Sequence, residues 1–504
     1  MTSLAKFLQK PIIFWILITA TYFATRLINL SIIPIFTDEA IYSFWAQVAL
    51  NDPANRYISL VDGKQPLFIW LAAISQRVVS EPLIASRLVS VFAGFASIVG
   101  IYLLGRELFS KKTAILASLL YLVLPFTLLY DRIALYDSLL TTFCIYAVFF
   151  TARLAKKPAL DTAFLAAFAI GGSLITKSSG FFFLYLMPFS LILFNFKKNV
   201  ARSLAVWGSY AFLIFVLSQV IFNSLRLSPL FYIIEQKNAE FIRTTQDVIT
   251  NPTDSVISNF TTMVGWLNSY IGTGLLIVFV ASVIYALIKR NKAAIFLSAY
   301  IFAPFAFEVL YNEILYPRFM LFYFPFILLM IAYFTTTLLE KFPQRRKIIV
   351  VVFALLLLMP TLNSVKLLTD PPSAKIAKSD SDQYFNSWPA GYGVNEVVSI
   401  LKNESKDKDI YVGTQGTFGL FPYALNIYFP TGSRVHISSY WPVDPTNIPE
   451  QILAASKNNK TFFIFNENQA EVNNPRLKEV AKFQKGIGSS YMRLYEVNPG
   501  RNLE

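Results

Sequence analysis

The sequence predicts a polytopic α-helical membrane protein: about eleven transmembrane helices, interfacial helices in the first external loop, and a C-terminal extracytoplasmic α/β domain. Three observations predict it. The 504 residues are 55% hydrophobic and 15% charged, against about 25% charged in average globular chains. Apolar runs approaching the roughly 20 residues that cross a bilayer recur along the first 365 residues. Lys and Arg gather in short loops between alternate runs, and from residue 366 the chain turns polar. The expected domains are a transmembrane unit over 1–365 and an extracytoplasmic unit over 366–504.

The head, "MTSLAKFLQKPIIFWILITATYFATRLINL", carries Lys6 and Lys10 before its apolar run. That places the N-terminus in the cytoplasm, with a first span over 11–33. No small-residue cleavage site follows the run, so the span is read as uncleaved. Next, Ile41, Phe44, Trp45 and Val48 share one helical face. The apolar stretch 66–79 is too short to span before Ser80-Glu81-Pro82. Two helices lying in the outer interface account for this region. Further spans are expected at 84–105, 113–129, 138–153, 161–176, 180–196 and 203–223. After a long outer loop over 224–267, the last four follow at 269–288, 293–312, 319–339 and 348–364. With this parity the basic clusters fall inside, and Asp38, Glu39, Asp62, Asp131 and Asp137 fall outside. In the tail, "DIYVG", "RVHIS", "TFFIF" and "MRLYEV" read as strands, and "NEVVSILKN", "PEQILAASK" and "PRLKEVAKF" as helices.

Composition also excludes. The net charge of +14 is loop charge of the positive-inside kind, so nucleic acid is not the expected partner; the lipid bilayer is. One cysteine, Cys144, leaves no intrachain disulfide and argues against a thiolate metal site. One histidine, His436, stands far from the outer acids in sequence. Acid–base chemistry therefore rests on carboxylates, with Lys, Arg and Tyr in support.

Several segments could carry that chemistry, each beside a plainer reading. In "FTDEAIYSFWAQ", Thr37 can cap a helix whose first turn holds Asp38 and Glu39; the pair can equally supply a general base or a metal ligand at the membrane face. In "DGKQPLFIW", Lys64 is either an interfacial cation among headgroups or a phosphate ligand. In "YDRIALYDSLL", Asp131 is expected to pair with Arg132, and Asp137 is either a helix cap or an acid meeting Asp38 in a shared cavity. In "EILYPRFMLFYFP", Arg318 with Tyr316 and Tyr323 is either a snorkelling belt or a phosphate site. Lys177 in "LITKSSG" is a further outer cation. The glycine-rich "GTQGTFG" lacks the Gly-Lys-Ser/Thr ending of a P-loop and reads as a turn. Outer carboxylates and outer cations together suit activating a hydroxyl and holding a phosphate.

On these residues the chain resembles the GT-C glycosyltransferases, in particular the branch of protein O-mannosyltransferases and lipid A aminoarabinose transferases. "TDEAIYSFWAQ" resembles the acidic motif of the first external loop, and "GKQPLFIWL" is similar to a Lys-Pro-Pro-Leu element, with Gln65 in place of the first Pro. "YDRIALYDSLL" resembles the acid-bearing second external loop. "LITKSSG" resembles a Leu-Thr-Lys-Gly element, with Ser178 for Gly; "YPRFMLFYFP" resembles an Arg-Tyr motif, with Phe319 for Tyr. The matches run in order over 36–325. The resemblance implies a polyprenyl-phosphate sugar donor, an acceptor on a protein, glycolipid or cell-wall polymer, and transfer with inversion at the outer face of the cell membrane. It implies Asp38 as base, Glu39 and Asp137 orienting the acceptor or holding a divalent metal ion, and Lys64 and Arg318 on the donor phosphate, with Tyr316, Tyr323 and Lys177 in support. The alternative is a transporter or flippase of lipid-linked sugars; no inverted repeat of the transporter kind is visible.

Overall fold

A computed structural model of the chain describes residues 11–194, 196, 199–251, 253–467 and 472–498. Lys6 and Lys10, on which the side of the N-terminus rests, lie outside the described residues. The first part is helical: α1 (Pro11–Leu27), α2 (Thr37–Asn51), α3 (Leu67–Gln76), α4 (Pro82–Leu108), α5 (Lys111–Val123), α6 (Tyr136–Lys156), α7 (Leu160–Leu174), α8 (Val200–Asn223), α9 (Val256–Ile288), α10 (Lys292–Tyr311), α11 (Phe324–Lys341) and α12 (Arg346–Thr369). Eight of the described helices are long and apolar enough to cross a membrane: α1, α4, α6 and α8 to α12. The segments expected to span at 113–129, 161–176 and 180–196 form shorter helices, for local reasons. Pro125 ends α5 at Leu124, because the residue before proline is driven to extended backbone. Beyond α7, Ser178–Gly180 and Met187–Leu193 are 3₁₀ turns on either side of a five-residue helix, Phe181–Tyr185.

Burial sorts the helices. α6 and α4 are about three-quarters and two-thirds enclosed by protein, whereas α8 and α12 are mostly bare apolar surface. A helix left apolar and uncovered needs lipid as its solvent. α9 starts at Val256, well before the expected span at 269, so the loop expected over 224–267 is shorter than the sequence suggests. At 33 residues it would run about 50 Å if straight, beyond a hydrocarbon core of about 30 Å. Gly272 breaks it, at φ 78° and ψ 154°, a conformation that glycine tolerates and a Cβ does not.

Beyond α12 the chain builds a five-stranded sheet: β1 (Ile410–Gln415), β2 (Val435–Tyr440), β3 (Lys460–Phe465), β4 (Leu477–Gln484) and β5 (Tyr491–Val497), in the order β2-β1-β3-β5-β4. β1 lies parallel to both β2 and β3; β5 runs antiparallel between β3 and β4. Helices α13 (Val394–Glu404) and α14 (Glu450–Ser456) accompany it. The "PRLKEVAKF" segment is a strand here, not the helix its composition suggests. Leu477 pairs with Val497 and Phe483 with Met492, and a bulge between Glu479 and Ala481 absorbs the mixed spacing of its apolar residues.

The two parts are joined at the start of α2. Phe36 and Ala390 form an antiparallel bridge; Gly391 N–H donates to Ile35 O at 2.7 Å. Thr37 donates twice to Pro389 O, from its amide at 3.2 Å and its hydroxyl at 3.1 Å. Thr37 therefore ties the tail to the bundle instead of capping α2. Gln47 Nε2 donates to Ile427 O at 2.9 Å, and the Tyr428 hydroxyl to Glu81 at 2.8 Å. The sheet domain and the acid-bearing first loop thus share one end of the bundle.

Candidate functional site

At that end lies a cavity of about 450 Å³. Lys64 and Gln65 reach it from the loop before α3, Asp137 from the first turn of α6, and Lys177 and Ser178 from the break after α7. Lys237 and Phe241 come from the segment between α8 and α9, Glu308 and Asn312 from the end of α10, and Arg318 from the turn before α11. Phe181, Phe182, Tyr185 and Phe307 give it an aromatic wall. Four cations with an apolar flank suit an anionic headgroup carried on a greasy tail.

Each of these cations already has a carboxylate. Arg318 Nη1 meets Asp38 Oδ2 at 2.7 Å, and Lys177 Nζ meets Asp137 Oδ1 at 2.7 Å. Asp62 is shared by Lys64 at 4.0 Å and Lys237 at 3.4 Å. Tyr316 lends its ring face to Arg318 at 5.0 Å. The protein around Lys64 disfavours its charge and holds its pKa below the usual 10.5, with Asp62 and Asp38 pulling the other way. A third of the side chain still reaches solvent.

The residues singled out in the sequence divide into two groups. Lys64, Asp137, Lys177 and Arg318 line the cavity, and Asp38 adjoins it through Arg318. Glu39 is elsewhere. It is fully buried, and its two oxygens accept from Arg87 Nε at 2.8 Å, Arg87 Nη2 at 2.7 Å, Ala134 N at 2.7 Å and Phe36 N at 3.0 Å. Arg87 donates also to Leu30 O, Ile33 O and Pro34 O. Glu39 is thus the anchor that folds the first loop onto α4. Tyr323 is buried and donates to Glu308 at 2.8 Å, off the cavity surface. Asp131 does not pair with Arg132. It meets Arg26 at 3.6 Å and accepts from Tyr22, Tyr121 and Ser138, while Arg132 binds the carbonyls of Thr25, Arg26, Ile28 and Asn29. The guanidinium turns to the orphan carbonyls that end α1.

A divalent ion fits Glu39 and Asp137 poorly. Donors occupy both oxygens of Glu39, and Lys177 holds Asp137. Among the described residues no three His, Cys, Asp or Glu side chains converge as ligands.

Glu308 and Lys237 line the cavity as well, beyond the residues the sequence singles out. Glu308 is an acid within an apolar span, which is itself a signal of function. Lys237 carries no such signal, being one charge in a polar loop. Asp380 is not singled out by the sequence either: it is fully buried, and one oxygen accepts from Tyr130 at 2.8 Å and from Tyr270. Its other oxygen has no hydrogen-bond partner among the described residues. Burial pushes its pKa up to about 7, against the tyrosine hydrogen bonds and the attraction of Arg318.

Residues 63–222 match the sequence profile of the dolichyl-phosphate-mannose-protein mannosyltransferase family. Among curated protein sequences none matches. The fold matches the structure of ArnT from Cupriavidus metallidurans bound to undecaprenyl phosphate, at 14% identity and TM-score 0.59, over 97% of this chain and 98% of that one. It also matches the oligosaccharyltransferase AglB from Archaeoglobus fulgidus in complex with an inhibitory peptide and a dolichol-phosphate, at 12% identity and TM-score 0.54, over 89% of this chain and 68% of that one. The chain therefore has the fold of these structures over most of its length, and residues 63–222, which hold Lys64, Asp137 and Lys177, carry the sequence pattern of the mannosyltransferase family.

Proposed function

We propose that this chain is an integral glycosyltransferase of the cell membrane. It transfers a sugar from a polyprenyl-phosphate donor to an acceptor hydroxyl or phosphate at the extracytoplasmic face, with inversion. The observation that carries this reading is the cavity itself. Lys64, Lys177, Lys237 and Arg318 converge on one space, with Asp38 at its edge and an aromatic wall beside it.

The lipid tail lies along the wall of Phe181, Phe182, Tyr185 and Phe307, and the phosphate sits among the cations. Asp38 takes the proton of the acceptor as its oxygen bonds to the anomeric carbon. The bond from that carbon to the phosphate oxygen breaks, and the electron pair leaves with the polyprenyl phosphate. Lys64 and Arg318 stabilise that leaving charge in a water-poor space, which is where fixed charges act most strongly. A single displacement inverts the anomeric centre. Glu308 and Asn312 face the same space and supply hydrogen bonds to the sugar.

The test is transfer from labelled polyprenyl-phosphate sugars by purified protein, with and without Asp38→Asn. Loss of a general base lowers turnover by about 10²–10⁴-fold. Donor binding survives, since the substitution removes no phosphate ligand. Near-normal turnover by the variant overturns the assignment of the base, and no transfer by the unaltered chain from any such donor overturns the function.

A further inference from the structure

The sheet domain contains one buried lysine whose position the fold alone does not explain. Lys485, at the end of β4, is fully buried. Its ammonium donates to Trp388 O at 3.2 Å, to Asn466 Oδ1 at 2.5 Å and to Ala390 O. Three donors meet three carbonyl oxygens. Among the described residues it forms no ion pair. A buried cation without a counter-charge is costly, and burial pushes its pKa down to about 7. A methionine would fill the same volume without that cost.

What the ammonium holds is the strap that carries α2. Residues 388–390 lie against 35–37 through the bridge and hydrogen bonds already described, and Asp38 is the next residue. The strap is gripped from behind as well. Asn466 Nδ2 donates to Trp388 O at 3.0 Å, and its backbone amide is fixed by Gln415 Oε1 at the end of β1. In the turn after β4, Ile487 N donates to Asn386 Oδ1 at 3.0 Å. A continuous chain of hydrogen bonds thus runs from the carboxyl ends of β1 and β3, through Lys485, to the backbone beside Asp38.

We propose that Lys485 is a positioning residue for the transfer reaction, fixing Asp38 through the 388–390 strap. This rests on the function proposed above. It gives the C-terminal domain a task in catalysis although none of its described residues contributes a side chain to the cavity lining. A reacting group misplaced by about 1 Å can cost on the order of 10²-fold in rate.

The test compares two variants of the full chain in lipid nanodiscs. Lys485→Met removes the grip and leaves the carbonyls of Trp388 and Ala390 without that donor. Gly391→Ala keeps Lys485 and opens the strap from the other side, because the new Cβ would stand 2.4 Å from Ile35 Cγ2 and 2.5 Å from Ile35 O. Both should lower kcat tenfold or more, on the scale above, with donor KM unchanged. Amide exchange at Thr37 and Gly391 should quicken while exchange in β1 and β3 stays at the unaltered rate. Unchanged kcat in both variants overturns the proposal. So does a loss in which donor KM rises in step, or in which β1 and β3 exchange as fast as the strap, since either marks general damage. If the unaltered chain transfers no sugar, the function falls, and the exchange data still decide whether Lys485 fixes the start of α2.

Discussion

Glu39→Gln separates an anchor from a catalyst. Both Glu39 oxygens receive only N–H donors: Arg87 Nε and Ala134 N on one, Arg87 Nη2 and Phe36 N on the other. A glutamine has one oxygen, so whichever way it turns, its amide faces two donors. Two hydrogen bonds are lost, and Arg87 keeps its charge inside protein without a counter-charge. Removing one member of a buried ion pair costs about 3–5 kcal/mol, or roughly 10²–10⁴ in an opening equilibrium. The cost falls on the segment from Phe36 to Ala134 that the carboxylate ties together. Hydrogen exchange in lipid nanodiscs should show the Phe36 and Ala134 amides opening faster by that factor, and thermal stability should drop. Asp38→Asn, one residue away and paired with Arg318 instead, should leave exchange at both amides unchanged. Wild-type exchange at Phe36 and Ala134 in Glu39→Gln, together with a loss of turnover, would refute the anchor and restore Glu39 to the chemistry.

Three further outcomes follow from the site. Lys64→Ala and Arg318→Ala should each weaken binding of polyprenyl phosphate itself, measured without any acceptor; unchanged affinity in both removes the phosphate assignment. Because surrounding protein lowers the pKa of Lys64, its proton is lost at a lower pH than a free lysine's, so donor KM should rise on the alkaline side before pH 10.5, and Lys64→Arg should move that rise to higher pH. Asp380 titrates near 7 in the fold and near 3.8 when unfolded, so its contribution to stability is present at low pH and is lost as pH rises through about 7. Asp380→Asn should therefore flatten the pH dependence of melting between 4 and 7, and an unchanged slope would show that Asp380 does not titrate there.

The cavity cations were legible because ionisable residues at the edges of apolar runs stand out. Lys64, Lys177 and Arg318 announce themselves in this way, and the fold brings them together. Asp38 and Glu39 looked like a pair because they are neighbours in sequence. On a helix, neighbours point about 100° apart, so one reaches Arg318 while the other turns to Arg87. Glu308 was equally legible, as the one acid inside the apolar run 292–311. The strand at Leu477–Gln484 was misread because its apolar residues follow neither period cleanly, and only β5 settles which is used. Lys485 could not be found from sequence, since a lysine in a polar hairpin looks like any surface charge until the fold closes over it.

The pairing of every cavity cation with a carboxylate has a consequence for the order of events. Arg318 occupies Asp38, so a partly exposed proton acceptor is kept busy. An incoming phosphate, under the proposed function, displaces an acid from its partner. Under the proposed function, the donor's arrival is what frees Asp38, and a hydroxyl that comes first finds no base to receive its proton.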